Sequence, residues 1–396
     1  MAHPKLPHGP LSGIRVIDMS SIGMGPLATQ QLGDMGADVI KIESAAGDIF
    51  RHVQPQRHAG MSHAFLNINR NKRSIVLDAK TPEGKAAILA LAKDADVFMT
   101  NVRPDAIRRL GLDYASLAAI NPRIIHCAAF GSAEGAPYAG RASLDDVIQA
   151  ASGTAHFQGA VGADQPRFVN QAIADKILAI HIAGAISMAL YARERTGRGQ
   201  AIEVPMFECM VSFTLAEHLG GLTFVPPTGP AGYTRLLNEH RKPQKSKDGY
   251  ISVVPYTDEQ WHRFFIVAGR PDLAASPAFR TQAERAKDFA GLYAIVGEII
   301  ASKTNAEWTA LLANADIPYS PVNSVENLLA DRHLNATGYW HEVDHPTEGR
   351  LKMAGIPIKF SDTPGTIRRL APGIGEHTGE ILAEIGMKKS SQGGQA

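Results

Sequence analysis

Residues 13–43 read GIRVIDMSSIGMGPLATQQLGDMGADVIKIE, and the pattern of this stretch decides the fold. Residues 13–19 form a compact apolar run of buried-strand length, 20–26 a turn of small residues, and 27–35 a helical segment. Residues 37–42 are a second apolar strand, ending at Glu43. Strand, turn, helix and strand in this order make a parallel βαβ unit.

Working outward, the same alternation continues. Residues 74–77 (SIVL) give a third strand, and Thr81 can cap a helix that has Pro82 at its first position and runs to Lys93. Strands follow at 96–99 and at 123–129 (RIIHCAA). The spacing predicts an α/β fold with a parallel, doubly wound sheet whose ligand crevice lies outside the carboxyl ends of the strands. Residues 170–200 (NQAIADKILAIHIAGAISMALYARERTGRGQ) predict a long helix that opens at Asp175 and stops at the glycines of TGRGQ. An acid there is either a cap for orphan backbone N–H groups or a nucleophile, and its position alone leaves both open. A strand at 200–205 and an apolar helix at 206–219 follow.

The texture then changes. Residues 223–249 are rich in proline and glycine and hold Arg235, Arg241, Lys242, Lys245 and Lys247, which reads as a linker and loop. A strand at 250–255 and helices from 258, at 291–300 and at 304–314 build a smaller α+β domain. Residues 351–358 and 376–385 read as a strand and an amphipathic helix that return to the first domain, and 388–396 as a loose polar tail. The expected division is a large domain at 1–222, linker and small domain at 223–330, and a return segment at 331–396.

Composition narrows the class. Hydrophobic content of 44% with 20% charged residues suits a soluble globular protein of two or three domains. A net charge of +1 gives no global pull toward nucleic acid or an anionic membrane, so any basic site must be local. Cys127 and Cys209 are the only cysteines, against a disulfide scaffold or a cysteine-rich metal site. Without an apolar run near 18–20 residues or a leader at 1–11, the expectation is a cytoplasmic protein with no membrane partner.

Gly23-Met24-Gly25-Pro26-Leu27-Ala28 fits the dinucleotide fingerprint G-x-G-x-x-G/A, and Glu43 stands where a ribose-binding acid would. That opens a second reading, an NAD-dependent oxidoreductase. The alternative is a tight turn at a strand end. No hydride-transfer set of residues follows.

Several collinear segments together resemble the family III CoA-transferases, the group that includes formyl-CoA and carnitine CoA-transferases. They are the opening stretch, NRNKRSIVLDAKTPEGK, NVRPDAIRRLGLDY, NPRIIHCAAFG, DDVIQAASG, IADKILAIHIAGAISMALYARERTGRGQAIEVPMFE and GEHTGEIL. The resemblance implies a large Rossmann-like domain, a small domain and an interlocked homodimer. It places the nucleophilic aspartate at Asp175. It implies no resident metal or redox cofactor, with coenzyme A or acyl-CoA as substrate and a small carboxylic acid as the other reactant. CoA would be held by Gly23 and Met24 near the pantetheine, by Leu77, Asp78, Ala79 and Lys80 at the adenine, by Asn101, Val102, Arg103 and Arg109 at the nucleotide and phosphates, and by Asp145 beside the pantetheine. Arg70, Lys72, Arg73 and Arg108 could add to a basic patch for the phosphates.

The chain departs from the family pattern at Ser44, where an arginine is common, and at Ala142, where a lysine is. It also lacks the glycine-rich lid of oxalate-using members, with Gly229 and Gly232 as remnants. The same superfamily includes α-methylacyl-CoA racemases, a further reading, but their histidine position is Leu144 here and their glutamate position Lys242. An acyl-CoA-binding scaffold is a non-enzymatic reading. His156, Gln158, Arg167, Arg235 and Asn238 are acyl-pocket candidates, and the arginines hint at a dicarboxylic acid.

Overall fold

The computed structural model describes residues 7–161 and 165–388. The start of the 1–11 stretch, where no leader is expected, the middle of the 153–167 stretch and nearly all of the polar tail lie outside the described residues. The chain divides into two compact units: Met1–Thr154, Phe168–Phe213 and Ala336–Ala396 form one, and Ala155–Arg167 with Thr214–Asn335 the other.

In the first unit the six expected strands form one parallel sheet: β1 Arg15–Met19, β2 Asp38–Glu43, β3 Lys72–Val76, β4 Val97–Thr100, β5 Ile125–Phe130 and β6 Ala201–Pro205. Their order is β3-β2-β1-β4-β5-β6. The chain winds outward from β1 to β3 and then restarts at β4 on the other side of β1. The winding therefore reverses between β1 and β4, and loops at their carboxyl ends splay apart there.

Register explains why the strands read as continuous apolar runs. Val16 of β1 lies opposite Val39 and Val97, and next to it Ile17 lies opposite Ile40 and Phe98. The valines bury against Leu32 of helix α1 (Met24–Asp34) and Leu178, Ile182 and Ile186 of the long helix Ile173–Thr196. Ile17, Ile40 and Phe98 bury on the opposite face with Ile88 and Leu91 of the helix Pro82–Lys93. Both faces are covered, as a parallel sheet requires. The Thr81 cap is present, its hydroxyl accepting the Gly84 N–H at 3.0 Å. Helix α1 starts at Met24 rather than 27, because Pro26 falls in the first turn, where its missing N–H is not needed.

The long helix corrects one expectation. It is long and apolar enough to cross a membrane by length and composition, with a hydropathy of 1.6. Its Leu178, Ile182, Ile186 and Leu190 recur at helical spacing and are buried in the core, which accounts for the apolarity without a bilayer. Ile180, Met188 and Tyr191 point outward, each more than 60% exposed. Gly197 ends the helix with φ +73°, its N–H donating to the Arg193 carbonyl at 2.7 Å.

The segment from Ala336 returns to the first unit through a hairpin, Trp340–His345 with Gly349–Ala354. The helix Thr378–Glu384 then covers the edge strand β3: the His377 N–H donates to the Ser74 carbonyl, and Arg73 pairs with Glu380 and Glu384.

The second unit is α+β. An antiparallel three-stranded sheet (Gln244–Lys245, Tyr250–Val253, Tyr319–Pro321) shares a core with the helices Asp258–Val267, Phe289–Ile300 and Asn305–Asn314, around Phe264, Ile300 and Trp308. Its borders differ from the division at 222/223 and 330/331. It begins inside the helix Met206–His218 and takes in 155–167, because Phe157 stacks on His218 with ring centroids 4.1 Å apart.

Candidate active site

The turn between β1 and α1 is held almost entirely by side chains. The Ser20 N–H donates to Asp18, the Ser21 N–H to Asn101 Oδ1 and the Ile22 N–H to Asp48 Oδ1, all within 3.1 Å. Asn101 also donates back to the Ser21 carbonyl at 2.8 Å, so β4 and β1 are tied at the point where the winding reverses. Gly23 is the N-cap of α1 and offers no side-chain acceptor, so the first N–H groups of the helix are left for something else.

Asp175 stands against Gly23. A Cβ placed on Gly23 would lie 2.1 Å from Asp175 Oδ2, so the glycine is what lets the backbone approach the carboxylate. Asp175 is in the first turn of the long helix, and its own N–H donates to Asp145 Oδ1 at 3.0 Å. The cap is therefore Asp145, not Asp175. Among the described residues no group donates a hydrogen bond to the Asp175 carboxylate, which is partly buried. Burial, followed by the negative charge of Asp145, pushes its pKa up to about 6. It is still mostly ionised at neutral pH, and it is poorly solvated, which suits an attacking carboxylate.

A cavity of about 930 Å³ opens in front of it, lined by the 21–24 turn, by residues after β4 and β5, and by Asp175. Arg103, Arg109 and Arg141 face this cavity, and none has an ion-pair partner among the described residues. Arg141 lies over the Tyr138 ring at 4.2 Å. Three free guanidinium groups beside a partly apolar channel can hold phosphates while a thioester reaches the carboxylate.

The expected site residues separate on this geometry. Gly23, Met24, Asn101, Val102, Arg103, Arg109 and Asp175 line the cavity together. Asp145 stands behind Asp175 rather than in the lining. Leu77, Asp78, Ala79 and Lys80 follow the edge strand β3 and are outside the lining. The wider basic patch is corrected. Arg70 pairs with Asp34, Lys72 with Asp18 and Arg73 with Asp38, all three cations being buried, while exposed Arg108 is bound to Asp105 and Glu134. The three buried charges are spent inside the fold, whereas Arg108 lines the cavity with its charge already paired. Arg141 was missed; its only signal is an arginine in the glycine-rich loop 131–143 after β5.

The chain matches CoA-transferase family III over residues 11–378. It belongs to that family. A human succinyl-CoA:glutarate CoA-transferase is 31% identical, over 95% of this chain and 86% of the relative. An acyl-CoA transferase of Fusarium pseudograminearum is 34% identical, over 96% and 85%. Among solved structures, a CAIB/BAIF family protein of Brucella suis superposes with a TM-score of 0.80 at 32% identity, covering 96% of this chain and all of that one.

As a family III CoA-transferase, the protein moves CoA between carboxylic acids through an aspartyl intermediate. The dinucleotide reading fails on Glu43, which is buried and bound by Arg51 at 2.7 Å and by Ser74, leaving nothing for a ribose. Among the described residues no histidine lines the cavity, so none of them supplies a racemase's second base beside Asp175 there. Among the described residues no group of His, Cys, Asp or Glu is placed to hold a metal.

Proposed function

We propose that Asp175 is the covalent nucleophile of an acyl-CoA:carboxylate CoA-transfer, with the cavity in front of it as the CoA site. The observation that carries this is a carboxylate to which no described residue donates a hydrogen bond, set against Gly23 at the uncapped start of α1. Asp175 attacks the donor thioester carbonyl and expels CoA thiolate, leaving a mixed anhydride. The thiolate attacks the aspartyl carbonyl, releases the donor acid and leaves an aspartyl-CoA thioester. The acceptor carboxylate attacks that carbonyl and expels thiolate again. Thiolate then attacks the acceptor's carbonyl, giving the new acyl-CoA and free Asp175. No net proton is consumed. The N–H groups that open α1 hold the developing oxyanions.

Gly23 and Met24 flank the thioester, and Arg103, Arg109 and Arg141 take the phosphates. Leu77–Lys80 is the adenine-side segment by resemblance alone. For the acids, relatives that act on succinyl-CoA with glutarate and on formyl-CoA with oxalate support short mono- or dicarboxylates. The outward apolar residues of the long helix support a homodimer, interlocked as the resemblance implies. Two free cysteines accord with a cytoplasmic setting.

The test is a panel of C2–C6 acyl-CoA donors with isotopically labelled acids, read by mass spectrometry of thioester products. Label should enter a new thioester with the wild type and not with Asp175→Ala. Omitting the acceptor should leave a CoA-sized adduct on the Asp175 peptide. Exchange by Asp175→Ala at a comparable rate refutes the assignment.

A further inference from the structure

Ile22 has φ +71°. Among the described residues two other non-glycine residues share the left-handed region, Asn71 and Asp316, and their short polar side chains tolerate it. A β-branched isoleucine does not, so something outside the residue must hold it. Its N–H donates to Asp48 Oδ1 at 3.0 Å. Asp48 Oδ2 in turn accepts from Lys41 Nζ at 2.8 Å, and the same Nζ reaches the Ser20 carbonyl at 2.9 Å. The two side chains thus grip the turn at Ser20 on one flank and Ile22 on the other, one residue before the N-cap of α1.

Both members of the pair are sealed from water, with side-chain exposures of 0% and 1%. A buried ion pair is a poor device for stability, because apolar residues of similar volume usually do as well. What it supplies here is a fixed backbone. Asp48 is itself anchored, its N–H donating to Glu43 Oε1 at 3.0 Å, with Glu43 bound by Arg51.

We infer that the Lys41–Asp48 pair is a positioning device for the transfer: it holds Ile22 left-handed and so aims the amides that open α1 at the carbonyl attacked by Asp175. This rests on the reading of Asp175 as nucleophile. Neither Lys41 nor Asp48 touches the substrate. Their contribution is realised in the transition state, where the oxyanion forms, so it belongs to kcat and not to the grip on CoA.

The decisive variant is Lys41→Met/Asp48→Leu, which replaces the pair with apolar residues and keeps the turn buried. It should fold, melt below the wild type because the Ile22 and Phe50 N–H groups lose their acceptor, lower kcat by about 10–100-fold, and leave KM for acyl-CoA within about twofold. A folded variant with wild-type kcat overturns the inference. Should it not fold, Asp48→Ala, which removes the acceptor for the Ile22 N–H, is measured with and without Ile22→Gly. Glycine adopts the left-handed conformation without a clamp, so its addition should recover about tenfold of the lost kcat. No recovery overturns the inference, since a merely structural loss is not repaired there. Asp175→Ala run in parallel separates the two failures: an active Asp175→Ala refutes the nucleophile itself, whereas an inactive one beside a fully active pair variant refutes only the clamp.

Discussion

Asp175 gathers its chemistry from what it lacks. Among the described residues its carboxylate has no donor, burial disfavours its charge, and Asp145 adds a second negative group behind it. The attacking form is the ionised one, so kcat/KM should fall about tenfold per pH unit below about 6 and level off above it. Asp145→Asn keeps the acceptor for the Asp175 N–H while removing the charge, and should move that limb to lower pH. A limb that stays in place would remove Asp145 from the account. The same shift has a stability consequence. The folded pKa lies above the unfolded one, so the cost of the ionised carboxylate is absent below about pH 4, grows as pH rises from there and is full above about 6. Asp175→Asn should therefore be more stable than wild type by about 1 kcal/mol at pH 7.5, discounted for partial exposure, with the gap closing by pH 4. Melting curves at the two pH values decide it. The acid at this helix start was legible from sequence, but its role was not: Asp145, thirty residues earlier in the chain, does the capping.

At the scale of elements, the start of α1 and the start of the long helix meet through Gly23. Gly23→Ala puts a methyl 2.1 Å from Asp175 Oδ2, and the carboxylate, being a side-chain end, can swing away. Folding should change by about 1 kcal/mol or less, while kcat falls roughly 100-fold, as for a nucleophile misplaced by about an ångström. Equal losses of stability and activity would mean Gly23 serves packing instead. Gly199 offers the contrast: its Cβ would meet the Ile124 carbonyl oxygen at 1.9 Å, and backbone cannot swing, so Gly199→Ala should lower the melting temperature. The segment after β4 gives a third expectation. Arg103→Ala and Arg109→Ala should each raise KM for acyl-CoA about tenfold with kcat little changed, since a lost charged hydrogen bond weakens substrate and transition state alike. Unchanged KM values would place the phosphates elsewhere.

For the molecule as a whole, the division into two units and the exposed Ile180, Met188 and Tyr191 bear on assembly. Light scattering should give about twice the 42.4 kDa chain mass. A monomer at micromolar concentration that still transfers CoA would remove the dimer from the proposal. Much of the fold was determined by sequence alone. The six strands, the Thr81 cap, the long helix and its glycine stop follow from apolar period and local cap chemistry, which act over a few residues and so are visible in them. Tertiary structure decided the rest, because charge type carries no address. Arg70, Lys72 and Arg73 look as available for phosphates as Arg103 and Arg109 do, yet burial beside Asp34, Asp18 and Asp38 takes the first three out of reach. A left-handed isoleucine has no sequence signature at all. Only the folded chain shows that Ile22 is held by Asp48, twenty-six residues away, and that this grip stands one residue before Gly23, which faces Asp175.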